Sequence, residues 1–175
     1  MSPIVRPRRR RSVATSDQAP VLFTLGYEHT TQHGLIQALV SHGVRTLVDV
    51  RDVANSRRAG FSKRLLAASL DQAGISYLHF RALGTPKSGR IANRAGRYDE
   101  FEAIYEQAFQ QPEAQLALLE LEALARAAPS AILCFCANGR TCHRNRIAEE
   151  LETRGLCREE ISFQPGPSQE AAAQR

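Results

Sequence analysis

Short apolar runs alternate along the chain with longer segments in which apolar residues recur every three or four positions. The short runs are rich in β-branched or aromatic residues and predict strands at residues 21–25, 44–50, 75–80 and 131–136. The longer segments predict helices at residues 31–43, 62–73, 98–109, 112–128 and 142–153. This alternation predicts an α/β fold: a single three-layer domain, residues 20–163, with a mostly parallel sheet flanked by helices.

Three stretches of the chain do not follow this pattern. Residues 1–19 are rich in arginine and proline and predict a disordered basic tail, whereas residues 164–175 predict a loose C-terminal tail. Residues 81–96 contain three glycines and a proline without an apolar period, which predicts a long loop. Loops of this length inside a compact domain are usually functional or disordered.

The composition fits one globular domain. The chain has 175 residues, of which 43% are hydrophobic and 23% are charged. No apolar run approaches the roughly 20 residues that span a bilayer, so we expect no membrane segment. The N-terminal arginines are not followed by the apolar stretch of a secretory signal, so we expect a cytoplasmic protein. The oligomeric state is not indicated.

Most of the positive charge belongs to the N-terminal tail. Residues 1–19 carry five arginines and one aspartate, so only about one of the five net positive charges remains for the rest of the chain. The tail is either a solvated extension or an arm that adds affinity for nucleic acid through counterion release. The folded part itself is nearly neutral.

The densest cluster of reactive side chains follows the last predicted strand, in the segment Cys136-Ala-Asn-Gly-Arg-Thr-Cys-His-Arg144. A segment between a strand and a helix offers backbone amides and the positive end of the helix to an anion. Such surroundings, with Arg140, His143 and Arg144 nearby, lower the pKa of a thiol and favour the nucleophilic thiolate. Cys136 and Cys142 are therefore candidate nucleophiles, with His143 as a base or orienter.

The cysteines also allow two other interpretations. In a chain of this length, three cysteines within nine residues favour reduced thiols over disulfides, and strand alternation places Cys134 in the core. A zinc site could use Cys136, Cys142, His143 and His79, but these residues lack the paired spacing of structural zinc ligands. We therefore expect no metal and no cofactor.

A second cluster follows the second predicted strand. Asp49 and Arg51 lie two positions apart, so their side chains share one face of the strand. A carboxylate there is costly unless it is paired or functional, which makes Asp49 a candidate base or orienter. Arg51, Arg57 and Arg58 form a candidate clamp for phosphate or carboxylate. Ligands of parallel sheets bind beyond the carboxyl ends of the strands, where we expect residues 26–30, 51–60 and 137–144 to meet.

Together these motifs resemble one family. The matching features are Thr24-Leu-Gly-Tyr27, Val48-Asp-Val-Arg51, Ser56-Arg57, Gly60-Phe61, Leu70, Gly74-Ile75, Tyr77, Leu83-Gly84, Cys136 and Cys142-His143-Arg144 with Ile147-Ala148. In this order they resemble the family catalogued as domain of unknown function, number 488, over roughly residues 21–155. Asn138 departs from the acidic residue that members often have at its position. The resemblance implies the fold and nominates Asp49, Arg51, Ser56, Cys136, Cys142, His143 and Arg144, but it implies no activity.

A fainter likeness is to rhodanese-type sulfurtransferases, which also combine a strand ending in Asp-Val-Arg with a later cysteine loop. Cys136 and Gly139 fit that pattern, whereas Arg140 stands one position early.

Four hypotheses of function therefore stay open. The first is an enzyme that binds a phosphate- or nucleotide-like anion with Arg51, Ser56, Arg57, Arg140 and Arg144. The others are a non-catalytic module for nucleic acid or another ligand, a rhodanese-like sulfurtransferase, and an interaction protein whose Asp-Arg-Cys-His network is structural.

Overall fold

The computed structural model describes residues 19–138 and 141–163. The strands are β1 Val21–Gly26, β2 Thr46–Asp49, β3 Ser76–His79, β4 Ser130–Cys134 and β5 Cys157–Ile161. The helices are α1 Gln32–Ser41, α2 Lys63–Gln72, α3 Lys87–Arg94, α4 Tyr98–Phe109, α5 Pro112–Ala127 and α6 His143–Thr153. A short 3₁₀ turn, Arg81–Leu83, follows β3. Both predicted tails, apart from Ala19, lie outside the described residues.

The five strands form one sheet in the order β3-β2-β4-β1-β5, and all of its strand pairs are parallel. Adjacent residues of a strand face opposite sides, so each strand contributes to two cores. On one side Leu47 packs with Leu35 of α1 and Leu66 of α2. On the other side Val48 packs in the core that includes residues of α3, α4, α5 and α6. The predicted three-layer α/β fold is therefore confirmed.

Between the neighbouring strands β1 and β4, the direction in which the helical connections cross the sheet reverses. From β1 the chain crosses through α1 to β2, toward the β3 edge of the sheet. From β4 it crosses through α6 to β5, at the other edge, on the opposite face of the sheet. The two connections separate beyond the carboxyl ends of the strands. A crevice opens at such a topological switch point, which is where open α/β sheets bind their ligands.

Two elements differ from the sequence prediction. The segment 81–96, predicted as a long loop, contains the helix α3, whose Gly89 and Ala92 are buried. A Cβ at Gly89 would lie 3.3 Å from Ile104 and 3.7 Å from Phe101 of α4, so small residues are what allow the two helices to approach closely. The strand β5 was not predicted because it is a polar edge strand with only Ile161 buried.

The boundaries of the other elements agree with the pattern to within a few residues. Thr31 caps α1 as predicted, since its hydroxyl accepts a hydrogen bond from the Gly34 amide at 3.1 Å. β4 ends at Cys134, so Cys136 lies in the following loop rather than in the strand. In the described part of the chain, no helix has the length and apolar character to cross a bilayer.

Gly26 is the residue that lets β1 and the loop after β4 meet. A Cβ built on Gly26 would stand 1.7 Å from the carbonyl oxygen of Cys136, which is a backbone atom and cannot move aside alone. This contact brings the loop that carries Cys136 directly over the end of β1.

We expect Gly26→Ala to lower the free energy of unfolding by at least about 3 kcal/mol, because the added methyl group overlaps backbone. Urea unfolding measures the effect. The matched control is Gly43→Ala, which has φ 68° and no atom within 4 Å of its Cβ, and should cost only about 1–2 kcal/mol of backbone strain. Equal losses in the two variants would contradict the close approach at Gly26.

Candidate functional site

A cleft of about 900 Å³ lies at the carboxyl ends of β1, β2 and β4. Tyr27 and Glu28 line it after β1, residues 51–53 and 55–58 after β2, and residues 134–136 and 141–143 at and beyond the end of β4. Thr85, Arg90, Asn93 and Arg94 add a wall from α3 and the turn before it. The structure thus brings together the three polar segments that the sequence analysis expected to meet.

Asp49 and Arg51 form a buried ion pair behind the wall of this cleft. Arg51 Nε donates to Asp49 Oδ1 at 2.8 Å and Arg51 Nη2 donates to Asp49 Oδ2 at 2.5 Å, which is a bidentate arrangement. Asp49 is fully buried, whereas Arg51 is 5% exposed and reaches the cleft. Burial opposes the charge of Arg51, but the hydrogen bonds and the charge of Asp49, together with Tyr27, outweigh it and raise the arginine's pKa.

Two tyrosines complete the ion pair. The Tyr77 hydroxyl donates to Asp49 Oδ2 at 2.6 Å, and Arg51 Nη1 donates to the Tyr27 hydroxyl at 2.8 Å. Burial, followed by the Asp49 charge, raises the pKa of Tyr77, so this hydroxyl keeps its proton. The Tyr27 hydroxyl in turn lies 3.3 Å from Ser56 Oγ. The network therefore fastens the ends of β1, β2 and β3 and the loop after β2.

Arginine is the commonest charged residue of the cleft. Five arginines and two carboxylates line it: Arg51, Arg57, Arg58, Arg90 and Arg94, with Glu28 and Asp52. Some of these arginines are occupied, since Arg58 donates to the carbonyls of Glu28 and Thr30 and Arg90 pairs with Asp52. The side chains of Arg57 and Arg94 are exposed and make no hydrogen bond or ion pair to another described residue. Their charges are available to a ligand.

The floor of the cleft is a cluster of thiols around one imidazole. His143 Nδ1 lies 3.8 Å from Cys134 Sγ and 3.7 Å from Cys142 Sγ, and all three side chains are buried. On its other side His143 Nε2 lies 2.8 Å from the Val50 carbonyl oxygen. A carbonyl only accepts, so Nε2 carries a proton and Nδ1 is the atom that faces the sulfurs. Cys136 is partly exposed and joins the cluster from the cleft side.

The thiols of this cluster differ in acidity. Hydrogen bonds from Cys134 and Cys136 lower the pKa of Cys142 below its usual value, and His143 acts in the same direction. The same contacts raise the pKa of Cys136, and burial adds to the effect. Burial opposes the charged form of His143, but the neighbouring sulfurs of Cys134 and Cys142 outweigh it and raise the pKa of His143. These contacts therefore favour the thiolate at Cys142 over Cys136.

Arg144 is a buried cation next to the cluster. It is 1% exposed, and its Nη2 donates to the Cys136 carbonyl at 2.8 Å. Its Nε and Nη1 find no acceptor among the described residues. Buried guanidinium groups are normally paired, and unmade hydrogen bonds of a buried charged group are costly. Arg144 therefore places behind the floor of the cleft a positive charge that is paired with no carboxylate among the described residues.

The first turn of α6 adds to this positive character. Cys142 is the N-cap residue, and its side chain makes no capping hydrogen bond. The first backbone amides of the helix therefore have no side-chain acceptor from the N-cap, and the positive end of the helix dipole points toward the cleft.

The predicted site residues occupy different places in this arrangement. Arg51, Ser56, Arg57, Cys136, Cys142 and His143 line the cleft. Asp49 and Arg144 lie behind its wall. Arg140 lies outside the described residues, as does Gly139, so the loop of the rhodanese likeness is not described.

Several residues of the site were missed by the sequence analysis. Cys134 is buried, as predicted, and it also contacts His143, which was not predicted. Its spacing of two from Cys136 was the available signal, since alternate residues of an extended segment share a face. Tyr27 and Tyr77 carried no chemical signal in the sequence, because their partners lie 24 and 28 residues away along the chain.

Fold and site together define an α/β protein with a cysteine-histidine cluster at the topological switch point of a parallel sheet. The model of the family described as Domain of unknown function DUF488 matches residues 32–151. The chain belongs to this family, as its motifs predicted. No curated protein and no solved structure gave a significant match.

We expect Asp49→Asn to lower the free energy of unfolding by about 3–5 kcal/mol, because it leaves the buried Arg51 without its counter-ion. Urea unfolding at neutral pH checks this. Glu100→Gln is the matched control: it removes the carboxylate of the exposed Arg97–Glu100 pair and should change stability by no more than about 1 kcal/mol. If Asp49→Asn lowered the free energy of unfolding no more than Glu100→Gln does, the Asp49–Arg51 pair would not be desolvated.

Proposed function

We propose that the protein is an enzyme acting on a substrate with a phosphate- or nucleotide-like anionic group, which binds in the cleft beyond β1, β2 and β4. The observation that carries this proposal is the combination of an arginine-rich wall with a thiol cluster on the floor of the same cleft. The arginines can bind an anion, and the thiols can act as nucleophiles.

The anionic group binds to charges that the protein does not use internally. Arg57 and Arg94 have no partner among the described residues and lie on different elements that line the cleft. Guanidinium groups bind phosphate oxygens in a bidentate manner, and two of them can contact one group from different directions. Arg144 and the first turn of α6 add positive potential from behind the floor.

The reactive group is a cysteine thiol. Cys136 is the thiol that a bound substrate reaches, because it is partly exposed in the cleft, whereas Cys142 is 4% exposed. Cys142 and His143 are buried behind Cys136 and form part of the same cluster. Asp49 acts as an orienter rather than as a base, since its oxygens are engaged by Arg51 and Tyr77 and it does not line the cleft.

Titration with inorganic pyrophosphate tests the binding half of the proposal. We expect Arg57→Gln and Arg94→Gln each to weaken pyrophosphate binding by up to about fivefold, since an exposed ion pair contributes up to about 1 kcal/mol. Isothermal titration calorimetry at low and high salt measures the affinity for pyrophosphate, which higher salt should weaken. Arg64→Gln is the control, because Arg64 is exposed on α2 outside the cleft. An equal effect of Arg64→Gln would mean that the anion is bound non-specifically.

Alkylation tests the chemical half. In a Cys157→Ser background, which removes the exposed thiol of β5, we expect iodoacetamide to modify Cys136 before Cys134 and Cys142, because these two thiols are buried. The reaction should be slow, because the pKa of Cys136 is raised. Pyrophosphate should slow this modification if anion and thiol share the cleft. Peptide mass mapping over time gives the order of modification. A rate at Cys136 that pyrophosphate leaves unchanged counts against a shared site.

A further inference from the structure

We propose that Cys134, Cys142 and His143 bind one Zn²⁺ ion, with a fourth coordination position that opens to the cleft beside Cys136. The metal site does not depend on the proposed anion binding, and the chain could hold zinc without taking an anionic substrate.

The two sulfur–nitrogen distances among the three ligand atoms are close to those that zinc requires, and the two sulfurs lie within 4.8 Å of each other. In a tetrahedral site with Zn–S of about 2.3 Å and Zn–N of about 2.0–2.1 Å, a sulfur and a nitrogen ligand lie about 3.6 Å apart and two sulfurs about 3.8 Å apart. His143 Nδ1 lies 3.7 Å from Cys142 Sγ and 3.8 Å from Cys134 Sγ. All three atoms lie within 4.8 Å of one another. An ion fits between them with small movements of the side chains.

His143 is already oriented as a metal ligand. Metal-binding histidines usually donate the proton of their other ring nitrogen to a carbonyl or carboxylate, which fixes both the tautomer and the direction of the ring. The Val50 carbonyl accepts from Nε2 at 2.8 Å in this way. Nδ1 is therefore left to coordinate. The Tyr105 ring, with its centroid 5.3 Å from that of the imidazole, packs against His143 as well.

The ligand types favour zinc among the common metals. Two thiolates and one imidazole are soft to borderline donors, which suit Zn²⁺ and do not suit the oxygen-seeking Mg²⁺ and Ca²⁺. The three ligands are buried, so an ion there is shielded from water on most sides. This set differs from the one considered from sequence in two ligands. Cys134 replaces Cys136, and His79 is left out because its Nε2 lies 2.7 Å from the Arg51 carbonyl oxygen.

The open position faces the cleft. Cys134, Cys142 and His143 all line the cleft that holds Arg57 and Arg94, whereas only Cys142 and His143 reach a smaller cavity of about 560 Å³ beside α4 and α6. Zinc with three protein ligands and an exchangeable fourth is the pattern of catalytic rather than structural sites. The fourth position can take water, the Cys136 sulfur or a substrate atom.

Metal content and a cobalt spectrum test the site without any assay of activity. The full chain is purified under reducing conditions, stripped with a chelator and titrated with Zn²⁺ or Co²⁺. We expect one ion per chain, and for Co²⁺ a thiolate-to-cobalt charge-transfer band with the strong visible bands of four-coordinate cobalt. No binding, or the weak spectrum of six-coordinate cobalt, would overturn the proposal.

Variants identify the ligands. Cys142→Ser and Cys134→Ser should weaken zinc binding by at least about 100-fold, since loss of outer partners alone costs 10- to 100-fold. Cys157→Ser is the matched control and should bind as the unaltered chain does, because Cys157 is exposed on β5. Cys136→Ser should keep its zinc. Equal losses at Cys157 and Cys142, or loss of the ion in Cys136→Ser, would contradict the assigned ligands.

A measurement on the unaltered chain covers the case in which a ligand variant does not fold. Bound Zn²⁺ should protect Cys134 and Cys142 from alkylation in unfolding conditions mild enough to expose them, and should leave Cys157 reactive. Unchanged reactivity of Cys134 and Cys142 with zinc present would refute the site. Arg57→Gln with Arg94→Gln should still bind zinc, so that failure of anion binding and failure of the metal site are separate results.

Discussion

The buried ion pair of Asp49 and Arg51 is the interaction on which the carboxyl edge of the sheet depends. Neither charge can be left alone in the interior, because removing one partner of a buried pair leaves a desolvated charge. The Asp49 carboxylate accepts from Arg51 and Tyr77, while Arg51 also donates to Tyr27. These contacts hold the ends of β1, β2 and β3 in one arrangement, from which the cleft wall follows. Such a pair supports the geometry of a site more than it supports overall stability.

A second set of contacts fixes the start of α6 to the sheet. His143 binds the Val50 carbonyl after β2, and Arg144 binds the Cys136 carbonyl after β4. Both contacts use side chains of the first helical turn, so the thiol cluster is held by backbone of two neighbouring strands. Cys142 and His143 are thus held at the start of α6, whereas Arg57 and Arg94, whose side chains have no partner among the described residues, are exposed at the rim. Such an arrangement suits a site whose floor side chains must be held in fixed positions and whose side chains at the entrance can adjust to a ligand.

The hydrophobic pattern predicted the elements that bury a row of large apolar residues and failed for the two that do not, β5 and α3. Strands β1, β2 and β4 carry almost unbroken apolar residues because helices cover both sides of the sheet. The edge strand β5 is mostly polar, and α3 is held by the small residues Gly89 and Ala92, which resemble loop composition. In both cases tertiary packing decided what local composition left open.

The candidate site shows the same difference between what the sequence predicted and what tertiary packing decided. By itself the sequence determined that polar residues follow three parallel strands and must meet at one edge, and its motifs determined the family. Only the tertiary structure decided that Asp49 is engaged internally, that Cys134 belongs with Cys142 and His143, and that Arg144 is buried with no counter-ion in the described part of the chain. The physical reason is separation along the chain. The partners of these groups lie up to 93 residues away, and no local pattern records which side chains a fold will place within hydrogen-bonding distance.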